Sequence, residues 1–409
     1  MTNNATDLCI KREFAAARNP LIKRFAAKFN GFQGGHLTLI LPDGDVVTLG
    51  QENPADAQAC IRLNSYKPLS ELFVKGDLAF AESYIQGEWE SSDLTALFEF
   101  GLAIEDKFKI GSANSMMLKI FNRIRHILNR NSKRGSRRNI AYHYDLGNNF
   151  YKLWLDDTMT YSSALFNDPA DTLKQAQLNK YQAIEELLNV SKNDRILEIG
   201  CGWGGFSEYI AKSTGAKIDG LTLSKEQLEF ANTRYQNAGL EKQATASYTD
   251  YRDSTGQYDK IVSIEMFEAV GEENWDTYFQ TIHDRLAPGG SAVLQIITID
   301  NQRFHSYRKH TDFIQRYIFP GGFLPSPEAF QAAVDRSEFN LQETHFFGAS
   351  YARTCALWNK QFQHAWPELE ALGYSKNFKR MWEYYLSYCE AGFKAGCVDV
   401  GLFKIKKVT

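Results

Sequence analysis

The chain has 409 residues, more than one hydrophobic core usually organises, so two domains are expected. A hydrophobic share of 44%, a charged share of 23% and a net charge of −3 describe an ordinary globular protein and exclude a polycation built for nucleic acid. The six cysteines form no CxxC pair and show no metal-ligand spacing with histidine, so no metal site is expected and a reduced cytosolic compartment fits best.

In chain order, residues 37–49 alternate apolar and polar around Asp43-Gly44 and predict a β-hairpin. Helical patterns follow at 68–86 and 92–105, which makes residues 1–115 a small α+β domain. Residues 107–144 hold ten Lys or Arg and no Asp or Glu. Within them Met117, Ile120, Phe121, Ile124 and Leu128 recur at helical spacing among Lys119, Arg123, Arg125 and Arg130. The polar run 131–138 reads as a linker, so 116–140 is expected to be a basic amphipathic helix plus the domain boundary.

From about 194 the pattern changes. Apolar runs at 195–199, 216–221, 259–265 and 290–298 alternate with helical patterns at 205–213, 224–237 and 273–286, which predicts βαβ units and a parallel sheet covered on both faces. Residues 302–335 interrupt this rhythm and are rich in aromatics, and the stretch from Val398 reads as a closing edge strand.

The sharpest motif is Ile196-Leu-Glu-Ile-Gly-Cys-Gly-Trp-Gly-Gly205. A strand ends in Glu198, then Gly200, Gly202 and Gly204 let the backbone turn tightly and approach a ligand, and a helix begins. The spacing is not that of a P-loop. A nicotinamide site stays open, because Gly200, Gly202 and Gly205 nearly meet its register, although Asp219 is the only acidic residue available for a ribose on the next strand. Ser224-Lys-Glu-Gln227 matches a helix capping box. Asp250 and Tyr251 follow a third strand, where an adenine could be flanked.

The sequence resembles the cyclopropane-fatty-acyl-phospholipid synthases and the related mycolic-acid cyclopropane synthases in Tyr142-His-Tyr-Asp-Leu-Gly-Asn-Asn-Phe-Tyr151, Thr160-Tyr-Ser-Ser-Ala164, the glycine loop, Gly220-Leu-Thr-Leu-Ser224, Met266-Phe-Glu-Ala-Val-Gly271 and Tyr317-Ile-Phe-Pro-Gly-Gly322. The resemblance runs from about 140 to the C-terminus. It implies an α/β class I methyltransferase domain at 141–409, with a Rossmann-like, mostly parallel seven-stranded sheet, an acyl-binding insertion at about 302–335, and a smaller N-terminal α+β domain. It also implies S-adenosylmethionine as methyl donor, with Tyr161, Ser162, Glu198, Gly200, Gly202, Gly204, Thr222, Leu223, Gln227 and Tyr251 at the cofactor. The family's active site holds a bicarbonate ion that takes the proton released on ring closure; its ligands map to Glu268, Tyr351 and the backbone N–H groups of Ser163 and Ile297.

Two positions depart from the family. Ser163 stands where Cys is usual, and Gln295 stands where the family has a His ligand to bicarbonate. Gln cannot carry that charge but can still donate hydrogen bonds.

The implied reaction is methyl transfer to the double bond of an unsaturated phospholipid acyl chain, giving a cyclopropane. A methyl- or methylene-branched product, favoured by Gln295, and a small-amine N-methyltransferase are the alternatives; a non-catalytic lipid-binding protein is the reading from another class. Phe150, Tyr151, Trp154, Tyr161, Phe267, Phe313, Tyr317 and Phe319 are candidates for an acyl tunnel or for ordinary core. No stretch of about 18 apolar residues exists, and the first residues lack an apolar run of signal-peptide length. A cytoplasmic protein is therefore expected, peripheral at the inner membrane surface, where the segment 116–138 offers contact with anionic headgroups. Self-association as a homodimer is left open.

Overall fold

The computed structural model describes residues 32–53, 56–108 and 146–408. The basic segment 116–138 lies outside them, so the amphipathic helix and linker are not part of the description. Two compact units appear, and the division is not the single boundary expected. Trp366–Ala395 groups with the N-terminal residues, while 123–365 and Gly396–Thr409 form the second unit.

In the first unit β1 (His36–Ile40) and β2 (Val46–Gly50) form the expected antiparallel hairpin, with Gly44 at φ +84° in its turn. The sheet continues through β3 (Gln58–Leu63), parallel to β1, and β4 (Trp89–Ser91). The helical pattern at 68–86 is two helices, α1 (Lys67–Lys75) and α2 (Asp77–Ile85), because Gly76 between them takes φ +85°. Helix α3 (Leu94–Phe108) covers the sheet. Late in the chain α12 (Lys376–Lys394) packs on α3, with the Thr95 hydroxyl donating to Glu390 at 3.0 Å and Phe98 edge-on to Tyr384. That apolar packing is why residues 366–395 leave the C-terminal unit.

The second unit is a seven-stranded sheet in the order β10-β11-β9-β8-β5-β6-β7. Strands β5 (Arg195–Ile199), β6 (Lys217–Thr222), β7 (Ala244–Tyr248), β8 (Tyr258–Ile264) and β9 (Leu286–Ile299) run parallel. Alternate side chains explain their near-continuous apolar sequences. Ile196, Ile218, Val262 and Val293 face α5 (Leu173–Leu188), α6 (Gly205–Thr214) and α7 (Lys225–Asn237). Leu197, Leu221, Ile261 and Leu294 face α8 (Trp275–Arg285) and α10 (Pro327–Asp335).

The strand at Val398 is not an edge. β11 (Val398–Lys407) lies between β9 and β10 (Phe339–Phe346), antiparallel to both, and β10 forms the edge. Val400, Leu402, Phe403 and Ile405 are all buried, which a solvent-facing edge strand would not need. Between β9 and β10, the interruption at 302–335 includes α9 (Asn301–Tyr307), a π-turn at Ile314–Ile318, and α10. Its second half is ordinary core, since Phe330, Ala333 and Val334 are buried against the sheet.

Candidate active site

The glycine loop follows β5 and opens α6. Gly200, Gly202 and Gly204 take φ of +87°, +53° and +79°, values that side chains resist. A Cβ on Gly204 would lie 2.5 Å from the Tyr235 hydroxyl, whereas one on Gly202 would meet nothing within 4 Å. The turn is therefore closed beneath and open at Gly202. The N–H groups of Gly200 and Cys201 both donate to the Leu221 carbonyl, the Arg234 guanidinium donates to the Trp203 carbonyl at 3.0 Å, and the Trp203 indole donates at 2.6 Å to Asn148, the first residue of α4 (Asn148–Lys152). These bonds hold the loop rigid.

Glu198 is buried at the end of β5 and accepts from the Ser207 hydroxyl. Burial pushes its carboxyl up to about 8. On the next strand end the Thr222 hydroxyl donates to Gln227 Oε1 at 2.9 Å. The capping box is half formed. Ser224 accepts from the Gln227 N–H at 3.3 Å, but the Ser224 N–H turns to Thr222 rather than to the Gln227 side chain. Leu223 lies between them, partly buried. Tyr251 packs edge-on to Tyr278, and Asp250 is closed by an ion pair with Arg252 at 2.7 Å. Asp219 is tied to Thr245 in the body of β6.

One strand further, the chain leaves β8 through Glu265, a residue the sequence reading missed. It is one of three non-glycine residues at positive φ among those described, at +49°. Glu265 is half-buried, and both oxygens of its carboxylate are engaged. Oε1 accepts from the Ser163 N–H at 2.8 Å and from Gln295 Nε2 at 2.7 Å; Oε2 accepts from the Tyr351 hydroxyl at 2.7 Å. Three residues later Glu268 accepts from the Ile297 N–H at 2.6 Å, and its Oε2 has no hydrogen-bond partner. Burial raises both carboxyls. Glu265 is pulled back down by its three donors and by the Lys180 charge, whereas Glu268 is pushed further, to about 8, by the Glu265 charge. The donors and Lys180 thus favour the ionised form of Glu265, while the Glu265 charge favours the neutral form of Glu268.

The cation is Lys180 of α5, fully buried, its ammonium donating to Ser162 Oγ at 2.7 Å. Burial lowers it to about 7, while Glu265, Asp156 and Glu198 hold it up. Gln177 of the same helix donates to the Ser162 carbonyl at 2.9 Å. Ser162 is thus fixed from below, and Ser163 presents its N–H to Glu265.

Aromatic rings adjoin this cluster. Tyr351 packs on Trp358, which packs on Tyr161, and Tyr161 reaches Tyr151, Trp154 and Phe319. Phe150, Tyr151 and Trp154 are fully buried. Phe267 belongs to the core under α8 and α10, stacked on Trp275, and not to this wall. Phe313 and Tyr317 pack on each other in the π-turn.

The residues do not fit the bicarbonate implied by the sequence. The Ser163 N–H and the Tyr351 hydroxyl each have one hydrogen, and both serve Glu265; the Ile297 N–H serves Glu268. Gln295, in place of a histidine ligand, also serves Glu265. A second anion would find its donors engaged and a carboxylate in its way.

The glycine turn after the first parallel strand, the open backbone at Gly202 and the β10-β11-β9-β8-β5-β6-β7 order define a class I methyltransferase. Residues 131–403 match the family described as mycolic acid cyclopropane synthetase, and the chain belongs to that family. It is 36% identical over 397 residues to tuberculostearic acid methyltransferase UfaA1 of Mycobacterium tuberculosis, covering 94% of this chain and 90% of that protein. To the cyclopropane-fatty-acyl-phospholipid synthase of Escherichia coli K12 it is 36% identical over 358 residues, 85% and 87% of the two chains. Among solved structures, mycolic acid cyclopropane synthase CmaA1 complexed with SAH and CTAB is similar with a TM-score of 0.63 at 30% identity, covering 66% of this chain and 98% of that one. The protein is accordingly an S-adenosylmethionine-dependent methyltransferase that acts on lipid double bonds. Among the described residues no helix is long and apolar enough to cross a membrane.

Proposed function

We propose that this chain methylates the double bond of unsaturated fatty-acyl chains in membrane phospholipid, with a cyclopropane acyl chain as product. The observation that carries this reading is a half-buried carboxylate, Glu265, held by Tyr351 next to the ring wall of Trp358, Tyr161 and Phe319. An alkene offers no charge to bind and no proton to remove first, so its site must be dry, apolar and equipped with a base for the step after alkylation.

S-adenosylmethionine, when bound, supplies an electrophilic methyl group. In this reading Glu198, the backbone at Gly200, Gly202 and Gly204, and Thr222, Leu223 and Gln227 hold it, with Tyr251 beside its adenine and Tyr161 and Ser162 also contributing. The wall excludes water, and its ring faces stabilise positive charge on the acyl chain. Phospholipid as the lipid is supported by the name of the Escherichia coli relative. Access from the cytoplasmic face, at the membrane surface, is supported by the basic sequence at 116–138.

A second reading, a methyl- or methylene-branched acyl chain, is favoured by neutral Gln295 and by the name of the tuberculostearic acid relative. The ring and the methylene branch add the same atoms, so mass does not separate them. The test is expression in a host without such enzymes, followed by proton NMR of the phospholipid fraction. Upfield cyclopropyl hydrogens support the first reading, and vinylidene hydrogens or a branch-methyl signal the second. Unchanged acyl chains in a cell that makes active protein would sink both.

A further inference from the structure

We infer that this enzyme carries its own base in place of bicarbonate: the Glu265 carboxylate is the proton acceptor, and the reaction needs no free anion. The inference rests on the reading of an acyl double bond as substrate, and it names the group that completes the reaction.

Four observations converge. The carboxylate of Glu265 holds the donors that the family resemblance assigns to bicarbonate at Ser163 and Tyr351, together with the Gln295 amide. These donors come from three separate stretches of chain, so the carboxylate is gripped by a built site rather than by its own loop. Glu265 sits in the left-handed region at φ +49°, a conformation that costs a non-glycine residue about 1 kcal/mol or more and persists only where the surroundings enforce it. Its N–H donates to the Gln295 carbonyl at 2.9 Å, which locks that turn to β9. Finally, the residue at 295 is neutral. A histidinium suits a free anion, whereas a covalently tethered carboxylate needs only a hydrogen-bond donor, and Lys180 is at hand as its counter-charge.

The chemistry balances without a further reactant. The alkene π pair forms the bond to the incoming methyl group as the methyl–sulfur bond breaks, and the acyl chain is left with one positive charge. A C–H bond of the chain then yields its proton to a Glu265 oxygen, and the electron pair of that bond closes the ring or forms a new double bond. Glu268, neutral and with Oε2 unbonded, offers no competing negative charge.

The test uses the full-length protein with vesicles of monounsaturated phospholipid, in buffer freed of carbon dioxide. Methylation should proceed at an unchanged rate and should not respond to added bicarbonate. A tenfold or larger loss on stripping, restored by bicarbonate, overturns the inference. Glu265→Gln, which keeps shape but removes the base, should lower product formation by about 100-fold or more; full activity in that variant also overturns it. A binding measurement makes the outcome independent of the substrate reading. By calorimetry wild type should not bind bicarbonate or formate, while Glu265→Ala, still binding S-adenosylmethionine, should bind formate in the vacated space. Stoichiometric bicarbonate binding by wild type refutes the tethered base whatever the substrate. Failure to methylate any lipid refutes the substrate reading alone.

Discussion

The Tyr351 hydroxyl, near the start of α11 (Gly348–Ala371), donates to Oε2 of Glu265 at 2.7 Å, joining residues 86 positions apart. A hydrogen bond to a charged acceptor is worth about 1.5–3 kcal/mol, and it favours the ionised form. Tyr351→Phe is therefore expected to cut the rate about tenfold or more at neutral pH. It should also move the acid limb of the pH–rate profile upward, because Glu265 loses a donor. The groups facing Glu265 are Lys180, Glu268, Gln295 and the Ser163 N–H. None is removed, so S-adenosylmethionine affinity should stay the same. Rates of S-adenosylhomocysteine release across the neutral range, with calorimetric affinities, check both points. A rate loss with an unshifted profile would contradict the assignment.

With Glu198 in the proposed cofactor site, cofactor binding should be linked to protons. Burial holds its carboxyl at about 8 in the free protein, and a cationic ligand favours the ionised form, lowering that value in the complex. Affinity for S-adenosylmethionine should then rise with pH, by up to about tenfold per unit, until the free carboxyl ionises near 8. Binding should release a proton. Calorimetry in buffers of different ionisation enthalpy measures both; affinity that falls as pH rises would remove Glu198 from the cofactor.

Stability should also depend on pH. Glu198 and Glu268 have an ordinary value of 4.5, and burial raises both to about 8. Their neutral forms contribute stability that is complete below 4.5 and is lost as pH rises through 8. Lys180, lowered to about 7, acts in the opposite sense at higher pH. A melting temperature that falls between pH 5 and 7 is the expected result.

The glycines of the turn separate folding from binding. Gly204→Ala drives a methyl group into the Tyr235 hydroxyl at 2.5 Å and should destabilise the fold by about 2–3 kcal/mol. Gly202→Ala meets open space, so only the backbone cost of about 1–2 kcal/mol applies. Its methyl group should stand where the cofactor approaches, lowering affinity more than it lowers the melting temperature. Equal affinity losses scaled to stability in both variants would argue against a cofactor at Gly202.

Gln295→His, in the presence of Glu265, is expected to place an imidazolium against that carboxylate and hold it more strongly ionised, a weaker base. The rate should fall at neutral pH without any gain of bicarbonate dependence. Paired with Glu265→Gly, the same change should create a requirement for bicarbonate. Rates with and without the anion distinguish the two variants.

The sheet and the glycine turn after β5 were readable from the residues alone. Strands β5, β6, β8 and β9 are covered on both faces and therefore read as apolar runs, and the positive φ values after β5 can be met only at low cost by the glycines written there. The edge strand β10 escaped notice because its sequence, FNLQETHF, is mostly polar and half exposed, and that omission made β11 look like the edge. Helix α12 gave no sign of which unit it joins, since an amphipathic face does not name its partner.

Glu265 was legible only as a carboxylate at the end of a buried strand, where α/β folds bind ligands. Its role was decided by tertiary structure. The donors lie 102, 30 and 86 residues away, and it is their convergence on one half-buried carboxylate that gives Glu265 the place of the base and takes the Ser163 and Tyr351 hydrogens from the anion that the motifs alone implied.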